Sequence, residues 1–231
     1  MLHGLRDTMG AVSRKSSTEL ALEKAYATKG PEANRELYAD WAETYESEFV
    51  VDSRYVYPQQ VAEVFCGGFA QLDQPVLDVG CGTGLVGAQL AEAGVAFIDG
   101  IDLSPEMLAE AKAKTHGGRP LYRLLFEADL TDSTELVDHA YAGIVSAGAF
   151  THGIFGSETI SELLRVARPG ARFALGINSA HFDEAGFGDW LEERQSEGLI
   201  TGLRFDLRPI YEEADEADPD QWTRIAVFAA A

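Results

Sequence analysis

Residues Val76 to Gly87 read VLDVGCGTGLVG, and this stretch decides the fold. Pro75 is followed by Val76, Leu77 and Val79, a short apolar run of the kind a parallel sheet buries on both faces. Gly80, Gly82 and Gly84 then recur at every second position. Such a turn reaches positive φ and lets a ligand approach the main chain more closely than any Cβ would permit. Leu85, Val86 and Leu90 begin a helix whose free N–H groups and positive dipole end face the turn, which favours ligand oxygens there. Strand, glycine turn and helix in that order place a nucleotide-type ligand at the turn.

Two ligand classes compete for this stretch. Gly82, Gly84 and Gly87 satisfy the G-x-G-x-x-G spacing of a dinucleotide site, and Asp102 follows Gly82 by 20 residues, the offset of a ribose-binding carboxylate. Asp78 tells against a dinucleotide fold, which normally keeps an apolar residue there so that the strand can lie against its helix. The D-x-G-x-G-x-G pattern from Asp78 to Gly84 resembles motif I of the class I S-adenosylmethionine-dependent methyltransferases.

Outward from the turn, elements alternate. AFIDGID ends at Asp102, Ser104 caps a helix with Pro105 at its first position, and LYRLLFEAD, YAGIVSAGA and ARFALGI read as strands three to five. A helix from Glu158 to Ala167 stops at Arg168-Pro169-Gly170, another lies around Asp189 to Glu197, and GLRFDLRPIY and WTRIAVFAA close the sheet. The pattern predicts an α/β, Rossmann-like, doubly wound, mostly parallel seven-stranded sheet with right-handed crossovers. Residues 73–231 form that core. Residues 1–16 read as a loose tail and 17–72 as accessory helices: one over Ser17 to Thr28, one from Pro31 through Val50, and one from Pro58 to about Leu72. The second carries Tyr38, Trp41, Tyr45 and Phe49 on one face.

With 231 residues the chain has room for one such domain. Its formal net charge of −20, from 18 basic against 38 acidic residues, opposes the phosphate neutralisation on which nucleic acid binding depends. Arg165, Arg168 and Arg172 read as solvated cations around a helix end. No apolar run reaches the length of about 18 residues that a membrane span needs, and the expected setting is cytoplasmic. Cys66 and Cys81 suggest neither a disulfide framework nor a metal centre.

The runs LYADWAETYE, LDVGCGTGLVG, GIDLSPEML and ELLRVARPG resemble the small methyltransferase-like family whose human member lies in the Williams–Beuren deletion region. The resemblance implies a sheet of order 3-2-1-4-5-7-6 and bound S-adenosylmethionine, with S-adenosylhomocysteine as product. It implies Gly80, Cys81, Gly82, Thr83 and Gly84 around the cofactor, and Asp78 helping to hold the amino end of its methionine moiety. Asp102 would accept the ribose hydroxyls, Leu103 and Met107 pack near the adenine, and Ala128, Asp129 and Leu130 form the adenine-binding stretch. Ser146 and Ala147 would leave room for the methyl donor, and Tyr38, Trp41 and Tyr45 would close over it. His152 is the evident general base at the mouth. The strand-four loop lacks the Asn/Asp-Pro-Pro-Tyr/Phe motif of amine-methylating nucleic acid enzymes, so a small-molecule acceptor is expected, on a monomer or homodimer. An NAD(P)-dependent oxidoreductase and a non-catalytic S-adenosylmethionine-binding module stay open as alternatives.

Overall fold

The computed structural model describes residues 28, 30–42, 44–132, 134–151 and 154–231. The expected tail, and the expected first helix up to residue 27, lie outside them. Seven strands form one sheet: β1 (Pro75–Val79), β2 (Phe97–Asp102), β3 (Leu124–Glu127), β4 (Tyr141–Phe150), β5 (Ala167–Asn178), β6 (Ile200–Pro209) and β7 (Trp222–Ala230). They stand in the order β3-β2-β1-β4-β5-β7-β6, parallel from β3 to β5, with β7 antiparallel to both its neighbours. Side-chain alternation divides the core into two layers. From β5, Phe173, Leu175 and Ile177 point to one and Ala174 to the other; from β7, Ala226 and Phe228 point to the first, Ile225 and Val227 to the second.

Helices cover both faces. Helices α2 (Tyr57–Cys66), α3 (Leu85–Glu92) and α4 (Pro105–Ala113) bury Val61, Phe65, Leu90, Leu108 and Ala111 on one side. Helices α5 (Thr159–Val166), α6 (Ser179–Glu184) and α7 (Phe187–Ser196) bury Ile160, Leu163, Phe182, Phe187 and Leu191 on the other. Ser104 caps α4 as expected, its hydroxyl accepting from the Met107 amide at 3.2 Å. Helix α2 is shorter than its sequence pattern suggests and lies on β4 and β5, so it belongs to the covering layer of the sheet itself.

The three arginines are fixtures of the fold, not loose surface cations. Arg172 donates to the Val64 and Phe65 carbonyls at 3.0 Å each, capping the end of α2 with a side chain from β5. Arg165 donates to Glu162, Asp138 and the Leu136 carbonyl, and Arg168 to Gln74. Glu162 answers with a carboxyl held down at about 2, chiefly by Arg165 and then by Thr134.

The N-terminal segment departs most from expectation. Helix α1 (Pro31–Trp41) stops at Trp41, and after a break the chain resumes as a π-helix over Tyr45–Val50. The wider coil keeps the aromatic stripe in contact, with Trp41 stacked on Phe49 at 5.8 Å and Tyr45 on Phe49 at 5.2 Å between ring centres. Further elements had no counterpart in the sequence reading, among them α6 and a hairpin pairing Thr115–His116 with Arg119–Pro120 around Gly117-Gly118. No helix among the described residues is long and apolar enough to cross a membrane.

Where α2 crosses β4 the packing leaves no spare volume. A Cβ built on Gly143 would meet the ring of Phe65, a side chain with no exposed surface, well inside contact distance. Gly143→Ala should therefore destabilise the protein by about 1–3 kcal/mol. Urea unfolding should also show the loss partly recovered in the Gly143→Ala/Phe65→Leu double variant, whereas additive losses would mean that the two sites do not touch.

Candidate functional site

The glycine turn is held from behind by the end of β2. The Cys81 amide donates to the Ile101 carbonyl at 3.1 Å, and the Gly82 amide donates to Asp102 Oδ2 at 2.8 Å. The Ser104 amide donates to Asp102 Oδ1 at 2.9 Å, so one carboxylate ties the turn after β1 to the start of α4. Burial pushes the Asp102 carboxyl up, while the amides of Ser104, Gly82 and Leu103 pull it back. Gly82 has φ +52 and open space where its Cβ would stand, which leaves the backbone bare toward the cavity. Gly84 serves packing instead: at φ +96 it caps α3 and faces the Tyr122 ring.

Behind the turn lies a second acid. Asp78 is fully buried, accepting from the Tyr122 hydroxyl at 2.7 Å through Oδ2 while Oδ1 has no partner. Burial pushes its carboxyl up to about 7, against the pull of the Tyr122 hydroxyl and the Gly87 amide and with a further push from Asp102. Tyr122 was not legible as a partner, because nothing in sequence links position 122 to position 78.

The principal cavity opens over the carboxyl ends of β1 to β5. It brings together Tyr38, Trp41, Tyr45, Gly80, Cys81, Gly82, Thr83, Asp102, Leu103, Met107, Ala128, Asp129, Leu130 and Ala147. Asp78, Gly84 and Ser146 do not line it; Ser146 is buried and donates to the Val79 carbonyl at 2.8 Å. His152 lies outside the described residues, next to Thr151, which does line the cavity. Asp129 spends Oδ1 on its own turn, accepting from the Thr131 amide at 2.8 Å and the Thr131 hydroxyl at 2.6 Å. Thr83 presents a buried hydroxyl with no partner.

Several lining residues escaped sequence reasoning: Phe49 (noted only as part of the stripe), Arg35, Tyr55, Tyr57, Asn178 and Tyr211. Tyr55 and Tyr211 meet because the chain between Arg54 and Val56 is laced to the β6–β7 connection. The Val56 amide donates to the Ile210 carbonyl and the Glu212 amide to the Arg54 carbonyl, both at 3.0 Å. Arg54 and Glu213 add an exposed ion pair. At the other end, Arg35 pairs with Glu127 at 3.4 Å and Lys114 with Glu46, which ties the aromatic segment to β3 and α4. Among the described residues, no group of three or more His, Cys, Asp or Glu side chains is placed to hold a metal ion, and both cysteines are free.

Comparison with known proteins bears on this arrangement. A family model described as a methyltransferase domain matches residues 76–170. O-methyltransferase resE of Aspergillus sclerotiorum is 32% identical over 106 residues, 44% of this chain and 39% of that protein. Methyltransferase-like protein 27 of Homo sapiens is 34% identical over 101 residues, 43% of this chain and 39% of that protein. The chain thus spans well under half the length of these curated relatives. Among solved structures, magnesium protoporphyrin IX methyltransferase of Synechocystis PCC 6803, solved with bound SAM, is similar in fold, with a TM-score of 0.57 at 18% identity over 95% of this chain and 99% of that one.

The buried Asp78 makes stability depend on pH. Its folded pKa lies above the ordinary carboxylate value, so its contribution is fully present below pH 4 and is lost as pH rises through about 7. Between pH 5 and 8 the unfolding free energy of the native protein should fall relative to that of Asp78→Asn, which keeps an acceptor for Tyr122 without the charge. A difference independent of pH in urea titrations would show that Asp78 does not titrate in this range.

Proposed function

We propose that the chain, which carries a methyltransferase domain of the class I fold over residues 76–170, is an S-adenosylmethionine-dependent methyltransferase acting on a small-molecule acceptor. The observation that carries this reading is the pairing of Gly82 and Asp102 in one cavity: a bare backbone turn beside a carboxylate already oriented by two amides. Each Asp102 oxygen keeps a lone pair beyond the amide it serves, which suits two vicinal hydroxyls of a ribose. The unpartnered Thr83 hydroxyl and the open face of Gly82 fit the polar methionine portion of the same ligand.

In this assignment Gly80, Cys81, Gly82 and Thr83 hold the methionine portion, Leu103, Met107, Ala128 and Leu130 flank the adenine, and Asp129 accepts from its amine. Ala147 keeps space beneath the sulfonium. Asp78, Gly84 and Ser146 act from behind by shaping the turn and the end of β4. Bound S-adenosylmethionine would supply a methyl group made electrophilic by its sulfonium. The protein's part is to align the acceptor with that group and keep water out. Tyr38, Trp41 and Tyr45 form the cover. A polyanionic acceptor is disfavoured by the net charge of −20.

Two measurements test this reading. Asp102→Ala should cost about 1.5–3 kcal/mol of binding, a roughly ten- to hundredfold loss of S-adenosylmethionine affinity in calorimetry. Unchanged affinity in a folded variant, or preferential binding of NADPH by the native protein, would remove the assignment. Hydrogen exchange over residues 31–51 should slow on adding S-adenosylmethionine if the aromatic segment closes on it. Equal protection with and without ligand would leave that segment as ordinary core.

A further inference from the structure

The cavity is electrically lopsided. The three charged residues among its described lining are Arg35, Asp102 and Asp129, and all stand at the β2–β3 end. The opposite end, above β4 and β5, is lined by Gly148, Thr151, Phe155, Asn178, Tyr55 and Tyr211, none of them charged. Asn178 and Tyr57 are already engaged in the fold. Asn178 donates to the Asp220 carbonyl at 3.1 Å and accepts from the His181 amide at 3.1 Å, and Tyr57 behind it accepts from the Thr223 hydroxyl at 2.9 Å. Burial holds the Tyr55 hydroxyl neutral, its pKa pushed well above the ordinary phenol value. What this end offers a ligand is ring surface on a fixed frame: Tyr55 lies 5.9 Å from Tyr211 and 5.3 Å from Phe49 between ring centres.

Resting on the methyltransferase reading above, we propose that the β4–β5 end takes an uncharged, planar aromatic acceptor whose hydroxyl oxygen receives the methyl group, with Tyr55 and Tyr211 as its walls. A carboxylate brought here would give up its hydration without an Arg or Lys among the described lining residues of this end to replace it, Arg35 standing at the other. An ammonium would sit close to the sulfonium with no carboxylate among the described lining residues on that side to offset the repulsion. A flat neutral ring loses little water and gains offset contact with two held rings. In the transfer, the acceptor oxygen forms a bond to the methyl carbon as the carbon–sulfur bond breaks. The sulfonium keeps that electron pair and becomes the neutral thioether of S-adenosylhomocysteine, and the hydroxyl proton passes to solvent at the cavity mouth, away from the methyl group.

The test is a calorimetric titration of the protein saturated with S-adenosylhomocysteine against three matched ligands: 2,3-dihydroxynaphthalene, 3-hydroxy-2-naphthoate and dopamine. The neutral diol should bind at least about tenfold more tightly than either charged ligand. With S-adenosylmethionine it should yield a monomethyl ether by mass spectrometry. Tyr211→Ala should weaken the diol about tenfold while S-adenosylhomocysteine affinity stays within about twofold. Equal or tighter binding of the naphthoate or of dopamine overturns the proposal, as does a Tyr211→Ala protein that holds the diol as well as the native one. Failure of S-adenosylhomocysteine to bind at all would instead strike the methyltransferase reading, and the ranking of the three ligands on the free protein would still decide what this end accepts.

Discussion

Asp102 bridges two amides that belong to different elements, and the site depends on that bridge. Gly82 lies in the turn after β1 and Ser104 opens α4; without a shared acceptor their N–H groups would face a largely apolar enclosure unpaired. A buried N–H without a partner is costly, so the carboxylate fixes the turn and the helix start together before any ligand arrives. The geometry a ribose needs is thus a by-product of satisfying the backbone. Two acids so close are held apart in role by their surroundings: Asp102 faces the cavity, while Asp78 is sealed behind the turn with Tyr122.

The rest of the site is built from apolar surface around that polar corner. Helices α1 and α2 and the π-helix bring rings from the N-terminal segment over the carboxyl ends of the strands, and the β6–β7 connection meets them from the other side. The sheet itself contributes small residues there, with Ala147, Gly148 and Ala149 at the end of β4. Large side chains reach in from outside and small ones lie beneath, so the cavity is roofed rather than lined by the sheet.

What was legible in the sequence was whatever a local pattern encodes. Apolar runs ending in glycine or aspartate gave β1, β2 and the turn; Ser104-Pro105 gave the start of α4; alternation gave β7 at its full extent, Trp222 to Ala230. The glycine turn, Asp102 and the aromatic stripe came through for the same reason. What did not come through depends on contacts between distant parts of the chain. Arg172 looked like a surface cation because its acceptors, two helix-end carbonyls, carry no side-chain signature. Tyr55 looked like a loop aromatic and Tyr211 like the end of a strand because the lacing between their segments uses backbone atoms. The continuous helix expected after Pro31 failed at Trp41, where ring packing, not helix propensity, governs the path of the chain.

The lacing of Arg54–Val56 to Ile210–Glu212 has a consequence for how the molecule is made. A segment that precedes every strand of the sheet finds its partner only in the connection before β7. A chain leaving the ribosome N-terminus first can pair β1 with β2 early, yet it carries Tyr55 without Tyr211 until the β6–β7 connection has emerged. Contacts of such long sequence separation form late and are slow to close. The glycine turn and its carboxylate are therefore in place while the aromatic wall is still missing, and the newborn chain shows an open, apolar cleft to its surroundings until the β6–β7 connection has emerged.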